Sequence, residues 1–478
     1  MKKKWILLGL EILVLIGFVA GILYLNRREY INSHIIINGT EYSRDITALD
    51  LSGVAEPELS KVAELQELTS LDLRDTGITI EDYSALQEQL PQCDILWQVP
   101  FQGSYYPLDT TQLTFTAATE EDLKSLPYLQ RLSRIDLRGC TDYALIAKMQ
   151  QDYPQCEVLY TVKLAPGVYE PNIESLAIAQ TELEAFKQAL PFLPNLKAVL
   201  FLGAASDPEA IYALTQENPQ IDFIWSFELH GLTLSNEDTF FDLSEIPLEN
   251  TQELENALKY FKNLQKVDMV HCGISNEDME ALNQRYENTL FVWSVQIGEV
   301  EVRTDITYFM PYKLGIHVDN KEVRNLRYCT EIICLDLGHQ EIEDTDYLNT
   351  LTKMEYMVLA DTAISDISCC ANMPNLKYLE IFLTKVRDLT PLQYCTKLED
   401  LNMSYNYPKD VTPILGLKNL KHLWMRGYEF EEQQKQLKEA LPDTEINFSH
   451  GSSTGEGWRQ IPNYYAMRDI LGMHYMYK

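Results

Sequence analysis

An apolar-x-apolar triplet returns every 22 residues in the last third of this chain. It falls at Leu335-Asp336-Leu337, Met357-Val358-Leu359, Leu379-Glu380-Ile381, Leu401-Asn402-Met403 and Leu423-Trp424-Met425. Such a period constrains the fold more than any composition does. One turn of this length cannot bury its own apolar face, so each must stack on the next. A second mark keeps the same step: Asp366-Ile367, Asp388-Leu389 and Asp410-Val411. In each turn the first, fourth and sixth positions of the string L-x-x-L-x-L-x-x-N, complete in residues 398–406, point inward. The ninth position holds Gln340, Thr362, Thr384, Asn406 and Tyr428. With a single Asn there, a looser, hydrated ladder of loop contacts is expected.

Upstream the same triplet keeps a longer metre. Leu71-Asp72-Leu73, Ile135-Asp136-Leu137, Val199-Leu200-Phe201, Val267-Asp268-Met269 and Leu335 are spaced 64, 64, 68 and 68 residues apart. A second series lies between them: Ile95-Leu96-Trp97, Val158-Leu159-Tyr160, Phe223-Ile224-Trp225 and Phe291-Val292-Trp293. A third comprises Leu49-Asp50-Leu51, Leu113-Thr114-Phe115, Leu176-Ala177-Ile178, Phe241-Asp242-Leu243 and Leu314-Gly315-Ile316, and Ile446-Asn447-Phe448 adds a last triplet. Each long unit therefore reads as three turns. A helical stretch precedes each tryptophan-type strand, from Glu81, Tyr143, Pro208 and Asn276, and a hairpin or loop leaving the stack follows at Gly103, Gly167, Gly231 and Gly298.

The 22-residue string is the leucine-rich-repeat signature. With its D-[ILV] step it resembles the internalin-type repeats of bacterial surface proteins, over roughly 110 residues on that period. The resemblance implies an α/β solenoid, a leucine-rich-repeat superhelix with a parallel concave sheet, on a bacterial surface protein. The expected organisation is a membrane anchor at 1–28, a juxtamembrane linker at 29–44, long units at 45–312, regular repeats at 313–450, and a linker with an aromatic tail at 451–478.

Residues 5–25, WILLGLEILVLIGFVAGILYL, would span about 31 Å as a helix, the thickness of a bilayer core. An uncleaved single-pass anchor is expected. A cleaved signal peptide is the rival reading, but its apolar region would be shorter. Lys2, Lys3 and Lys4 before the run, against Arg27 and Arg28 after it, weakly favour an inside N-terminus with the bulk of the chain outside. The 71 acidic residues outnumber the 39 basic ones, for a net charge of −32. A surface this negative repels nucleic acid, whose binding requires cationic side chains to displace counterions. The nine cysteines fit no zinc spacing and are read mostly as buried core thiols.

No hydrolase, nucleotide-binding or metalloprotease motif occurs, and the eight histidines are scattered. No catalytic residue, metal or cofactor is expected, and the chain reads as a binder of a protein or glycan. The third, fifth and seventh positions of each 22-residue turn should face out from the concave sheet. The candidate ligand-binding strip is Tyr356, Tyr378, Glu380, Phe382, Asp400, Asn402, His422, Trp424 and Arg426. Exposed aromatics with acids beside them resemble an interface core with a polar rim. The plainer alternative is a half-exposed β surface whose aromatics pack their neighbours. After a flexible Gly451–Gly457 stretch, Trp458 to Lys478 is expected to cap the last turn or dock a partner, with Asn463 capping a helix from Tyr464 to Leu471. Adhesion, sensing or scaffolding is the leading reading. A passive envelope spacer is the alternative, and an enzyme or enzyme-regulating ectodomain is the third.

Overall fold

The computed structural model describes residues 2–165 and 167–473, with side chains from residue 10 onward. It divides into two compact units, residues 1–203 with 213–223, and residues 204–212 with 224–478.

The first unit opens with a 32-residue helix, Lys2–Ser33. Leu13, Leu15, Phe18 and Leu23 on it are each more than 60% exposed, so among the described side chains, from residue 10 on, no protein covers the apolar run. The expected linker 29–44 is structured instead. The helix runs through Ser33, and His34–Ile37 pairs antiparallel with Thr40–Ser43. Asn38 and Gly39 both adopt positive φ in the two-residue turn, the geometry that matches strand twist. Ile35 and Ile37 are buried, which fixes the register of this hairpin. Parallel strands then follow at Ala48–Asp50, Ser70–Asp72 and Asp94–Leu96, and at Gln112–Thr114, Arg134–Asp136 and Glu157–Leu159. Ser175–Ala179 pairs with the strand that starts at Ala198.

The second unit repeats this pattern at Phe240–Asp242, Lys266–Asp268 and Leu290–Val292. It ends in a seven-stranded parallel sheet: Tyr308–Phe309, Cys334–Asp336, Tyr356–Val358, Tyr378–Glu380, Asp400–Asn402, His422–Trp424 and Glu445–Asn447. Both units are thus built of leucine-rich-repeat turns. Every expected triplet begins on a strand except Leu314-Gly315-Ile316. The strand there is Tyr308–Phe309, with Phe309 opposite Leu335. Pro311 then opens a helical turn that Gly315 ends at φ 71°, and Leu314 is left 46% exposed. Phe309 stands 68 residues after Phe241, so the longer metre continues one step further than the Leu-Gly-Ile triplet suggested.

The loop segments do not leave the stack outright. After Trp97, Trp225 and Trp293, all buried, the first strand of each hairpin buries alternate residues: Val99 and Phe101, Phe227 and Leu229, Val295 and Ile297. The hairpin is therefore an extension of the core with one wet face.

The D-[ILV] mark has a direct cause. The carboxylates of Asp366, Asp388 and Asp410 each accept a hydrogen bond from the backbone N–H two residues on, at 2.8–2.9 Å, and so start the short 3-10 turns on the outer side. The next residue, Ile367, Leu389 or Val411, is buried beneath that turn. The ninth-position ladder is tighter than expected. Asn406 accepts from Thr384 N at 3.0 Å and donates to Ile381 O at 2.9 Å. Thr362 donates to Leu359 O, Tyr428 to Pro408 O, and Gln340 accepts from Val318 N. Different side chains satisfy the same loop backbone, so asparagine is not required at each turn. All nine cysteines are free, and all but the half-buried Cys156 are buried. Burial pushes the Cys329 and Cys395 thiols up to about 12.

Leu401 is fully buried between Leu379 and Leu423 on adjacent strands. Leu401→Asp strands a carboxylate among leucines and should cost about 3–5 kcal/mol. Lys397→Ala, at an exposed position of the same turn, should cost under about 0.5 kcal/mol. Urea melts of the two variants check this, and equal midpoints would refute the inward register.

Candidate functional site

The seven-stranded sheet brings seven of the nine candidate residues into register, and Phe382 and Arg426 lie two residues beyond their strands. Tyr356 lies opposite Tyr378, Tyr378 opposite Asp400, and Asp400 opposite His422. Glu380, Asn402 and Trp424 form the parallel row two residues on. The strip is not exposed. Tyr378 and Asn402 are 0% exposed, Asp400 and Trp424 1%, and Tyr356, Glu380, Phe382 and Arg426 are buried as well. Only His422 keeps partial access.

What covers the strip is the chain itself. Residues 458–473 turn back and lie on the concave face instead of capping the end of the stack. Trp458, Ile461, Tyr464, Met467, Leu471 and Met473 form one apolar cluster with Cys334, Tyr356, Tyr378, Phe382 and Trp424. The helix Pro462–Ile470 starts at a proline, which suits a first turn because its missing N–H would have no partner there. Tyr464, Met467 and Leu471 follow the i, i+3, i+7 spacing of one helical face, and that face is the buried one. Asn463 does not cap the helix as expected. Its Nδ2 donates to Asp400 Oδ2 at 2.7 Å and to Glu399 Oε2 at 2.8 Å.

The anchor is Trp458, fully buried. Its ring centroid is 5.5 Å from that of Tyr378 and 5.3 Å from that of Trp424. Its indole Nε1 donates to Glu380 Oε1 at 2.6 Å, and the Tyr378 hydroxyl donates to the same oxygen. Beside it, Trp424 Nε1 donates to Gly455 O at 3.1 Å and Asn402 Nδ2 to Ser453 O at 2.9 Å, so the strip reads the backbone of the Gly451–Gly457 turn. Arg426 lies against that turn, its Nη2 donating to His450 O at 2.7 Å. A Cβ at position 451, where φ is 131°, would come within 2.7 Å of Arg426 Nη2, and one at position 455 within 2.9 Å of Nη1. The glycines are what let the guanidinium approach.

This covered face is not wholly apolar. Burial pushes the carboxyls of Glu380, Asp336 and Asp400 above their ordinary values. Glu380 is offset by Tyr378, Trp458 and Arg459, Asp336 by the Gly338 N–H, Arg468, His339 and Arg459, and Asp400 by His422 and Asn463 with Glu399 opposing. His422 Nδ1 lies 2.5 Å from Asp400 Oδ1. A cavity of about 190 Å³ remains between segment and sheet, lined by Asp336, Glu380, Phe382, Arg459, Tyr464 and Arg468. The arrangement can hold a helical segment by stacking, charge and backbone recognition.

Sequence reasoning placed these residues on one outward face and missed the segment that covers it. The available signal was a matching pair of apolar faces, the outward aromatics and the Tyr464–Met467–Leu471 stripe, each otherwise unburied.

A family model described as Leucine Rich repeat matches residues 262–282, which lie in the long units and not in the 22-residue repeats. No curated protein matches. Among solved structures, an internalin C2 of Listeria monocytogenes is similar at 20% identity, over 46% of this chain and 76% of that one, with a TM-score of 0.23. A leucine-rich-repeat protein of Leptospira interrogans is similar at 16% identity, over 85% of this chain and 96% of that one, with a TM-score of 0.26. The TLR13–ssRNA13 complex is similar at 16% identity, over 80% of this chain and 60% of that one, with a TM-score of 0.20.

Trp458→Ala removes the anchor at a cost of about 3–5 kcal/mol. Amides of 462–471 should then exchange rapidly while those of the sheet stay protected, as read by hydrogen exchange. Docking should also respond to pH. Because Glu380, Asp336 and Asp400 have raised values when covered, the covered state holds more protons. Their contribution is fully present below the ordinary carboxylate value near about 4 and is lost as pH rises through the raised values. Protection of 462–471 should therefore be greater at pH 5 than at pH 8, and the reverse order would refute the charge assignment.

Proposed function

We propose that this chain is a membrane-tethered recognition protein, with its repeats outside the cell and a protein or glycan as its ligand. Membrane tethering rests on one observation, the uncovered apolar helix. Residues Leu10–Ser33 form a span with a mean hydropathy of 1.8 and no buried share, long enough to cross a bilayer. The three lysines before it, against two arginines after it, support an inside N-terminus. Recognition is the reading that suits a parallel sheet whose outward rows carry Tyr378, Glu380, Asn402 and Trp424, a stacking and hydrogen-bonding surface. The single-stranded RNA named with TLR13 does not transfer to this chain, because a net charge of −32 opposes any polyanion. We read the chain as a binder, not an enzyme.

A passive spacer is the second reading, and the burial of the strip favours it. Exposed aromatics were the feature that set a receptor apart from a spacer, and here they are covered. Against it stand the carboxylates kept within that face, which a permanent interface would replace with apolar residues at lower cost.

Protease added outside intact cells should digest everything after about residue 28, where the span's flanking arginines end. A chain starting near Tyr30 should be soluble, while the full chain partitions into membrane. Complete protection of the repeats, in cells whose other surface proteins are digested, would overturn this topology.

A further inference from the structure

We propose that the concave face of the 22-residue repeats is a peptide groove that residues 458–473 occupy as a tethered, displaceable ligand, and that its partner is a short helical segment of another protein carrying a carboxylate, then an indole, then cationic side chains. The inference rests on the recognition reading above and names the site and the class of partner.

Three observations carry it. The first is charge. The groove presents Asp336, Glu380 and Asp400, while the segment lying on it carries Arg459 and Arg468 against the single acid Asp469. In a chain with 71 acidic and 39 basic residues, a locally basic segment on an acidic face offsets part of the cost of burying those carboxyls, a cost that burial still dominates.

The second is that the fit is incomplete. Arg426 is 3% exposed, and its Nη2 donates to His450 O at 2.7 Å and to Glu456 Oε1 at 3.3 Å. Its Nε and Nη1 have no hydrogen-bond partner among the described residues. Glu456 divides its carboxylate between Arg426 and Asn447, whose Nδ2 donates to Oε2 at 2.8 Å. A buried guanidinium left half-paired costs free energy that a better placed carboxylate recovers. An occupant with an acid squarely opposite Arg426 therefore outcompetes the chain's own segment, contact for contact.

The third is the tether. Gly451, Gly455 and Gly457 lie in a seven-residue connection, with Gly451 and Gly457 at positive φ. Once it releases Trp424, Asn402 and Arg426, a short Gly-rich connection of this kind holds its ligand at an effective concentration on the order of 1 mM. A segment with an intrinsic Kd of about 10 μM would then be docked about 99% of the time and would weaken a competitor's apparent affinity about 100-fold. The groove is closed at rest and opens only to a partner that binds better.

The test uses the full chain in detergent micelles and a fluorescent peptide of residues 455–473 as the probe. Two variants open the groove by different routes. Trp458→Ala removes the anchor, and Asn463→Asp sets a third carboxylate against Glu399 and Asp400. Both should bind the peptide at least about tenfold more tightly than the unaltered chain. A peptide carrying Trp458→Ala, or one carrying Arg459→Glu with Arg468→Glu, should lose that binding by at least about tenfold. If both variants keep their sheet protected in hydrogen exchange yet bind no better than the unaltered chain, the segment is a fixed part of the core and the proposal falls. Loss of sheet protection in both variants would overturn it equally, by showing that the segment is required for folding. If the Arg-to-Glu peptide binds as well as the original, the cationic partner is wrong. None of these results bears on the topology, which the external protease decides separately.

Discussion

Each turn of this chain depends on its neighbour for a core. Leu379, Leu401 and Leu423 are fully buried only because they stack strand on strand at a fixed 22-residue interval. The same spacing dictates the other face. If the inward residues are in register, so are the outward ones, and Tyr356, Tyr378, Asp400 and His422 must form a column. A repeat that builds a core thus builds a surface at no extra cost, and chemistry can be placed on that surface row by row.

That surface is polar at points where a permanently buried one would be apolar. Glu380 sits beneath Trp458 with both an indole N–H and a phenol donating to one oxygen, and Asp400 lies between His422 and Asn463. Each carboxylate is paired, so burial is tolerated, but pairing does not make it cheaper than a leucine. Such residues suit a face that is sometimes wet. The glycine turn, the half-paired Arg426 and the basic segment on the acidic face are what the proposed tethered ligand rests on.

Much of this was legible in the sequence. Strand positions followed from the triplets, because burial on one face and stacking at a fixed step leave a strict pattern. The D-[ILV] mark was visible before its cause, an aspartate bonding the N–H two residues ahead. The Leu314 triplet misled because local pattern outweighed the metre, and Pro311 with Gly315 had already broken the strand. The first hairpin was missed because His34–Ser43 is short and falls in the stretch 29–44 that was read as a juxtamembrane linker. The candidate residues were expected to face out from the sheet and to be open, and the tail covers them. Nothing in a repeat period states which segment, far along the chain, will fold back on it. Only the complementary stripes of Tyr464, Met467 and Leu471 and of Tyr378, Phe382 and Trp424 pointed there.

The central claim, that residues 458–473 lie on the concave sheet, is tested most directly by hydroxyl-radical footprinting of the intact chain. Tyr394 and Tyr465, which are 56% and 51% exposed, should be oxidised readily, while Trp458, Tyr378 and Trp424, all at 1% or less, should remain unmodified. Oxidation of those three at rates comparable to Tyr465 would mean that the groove stands open, and the account would be wrong.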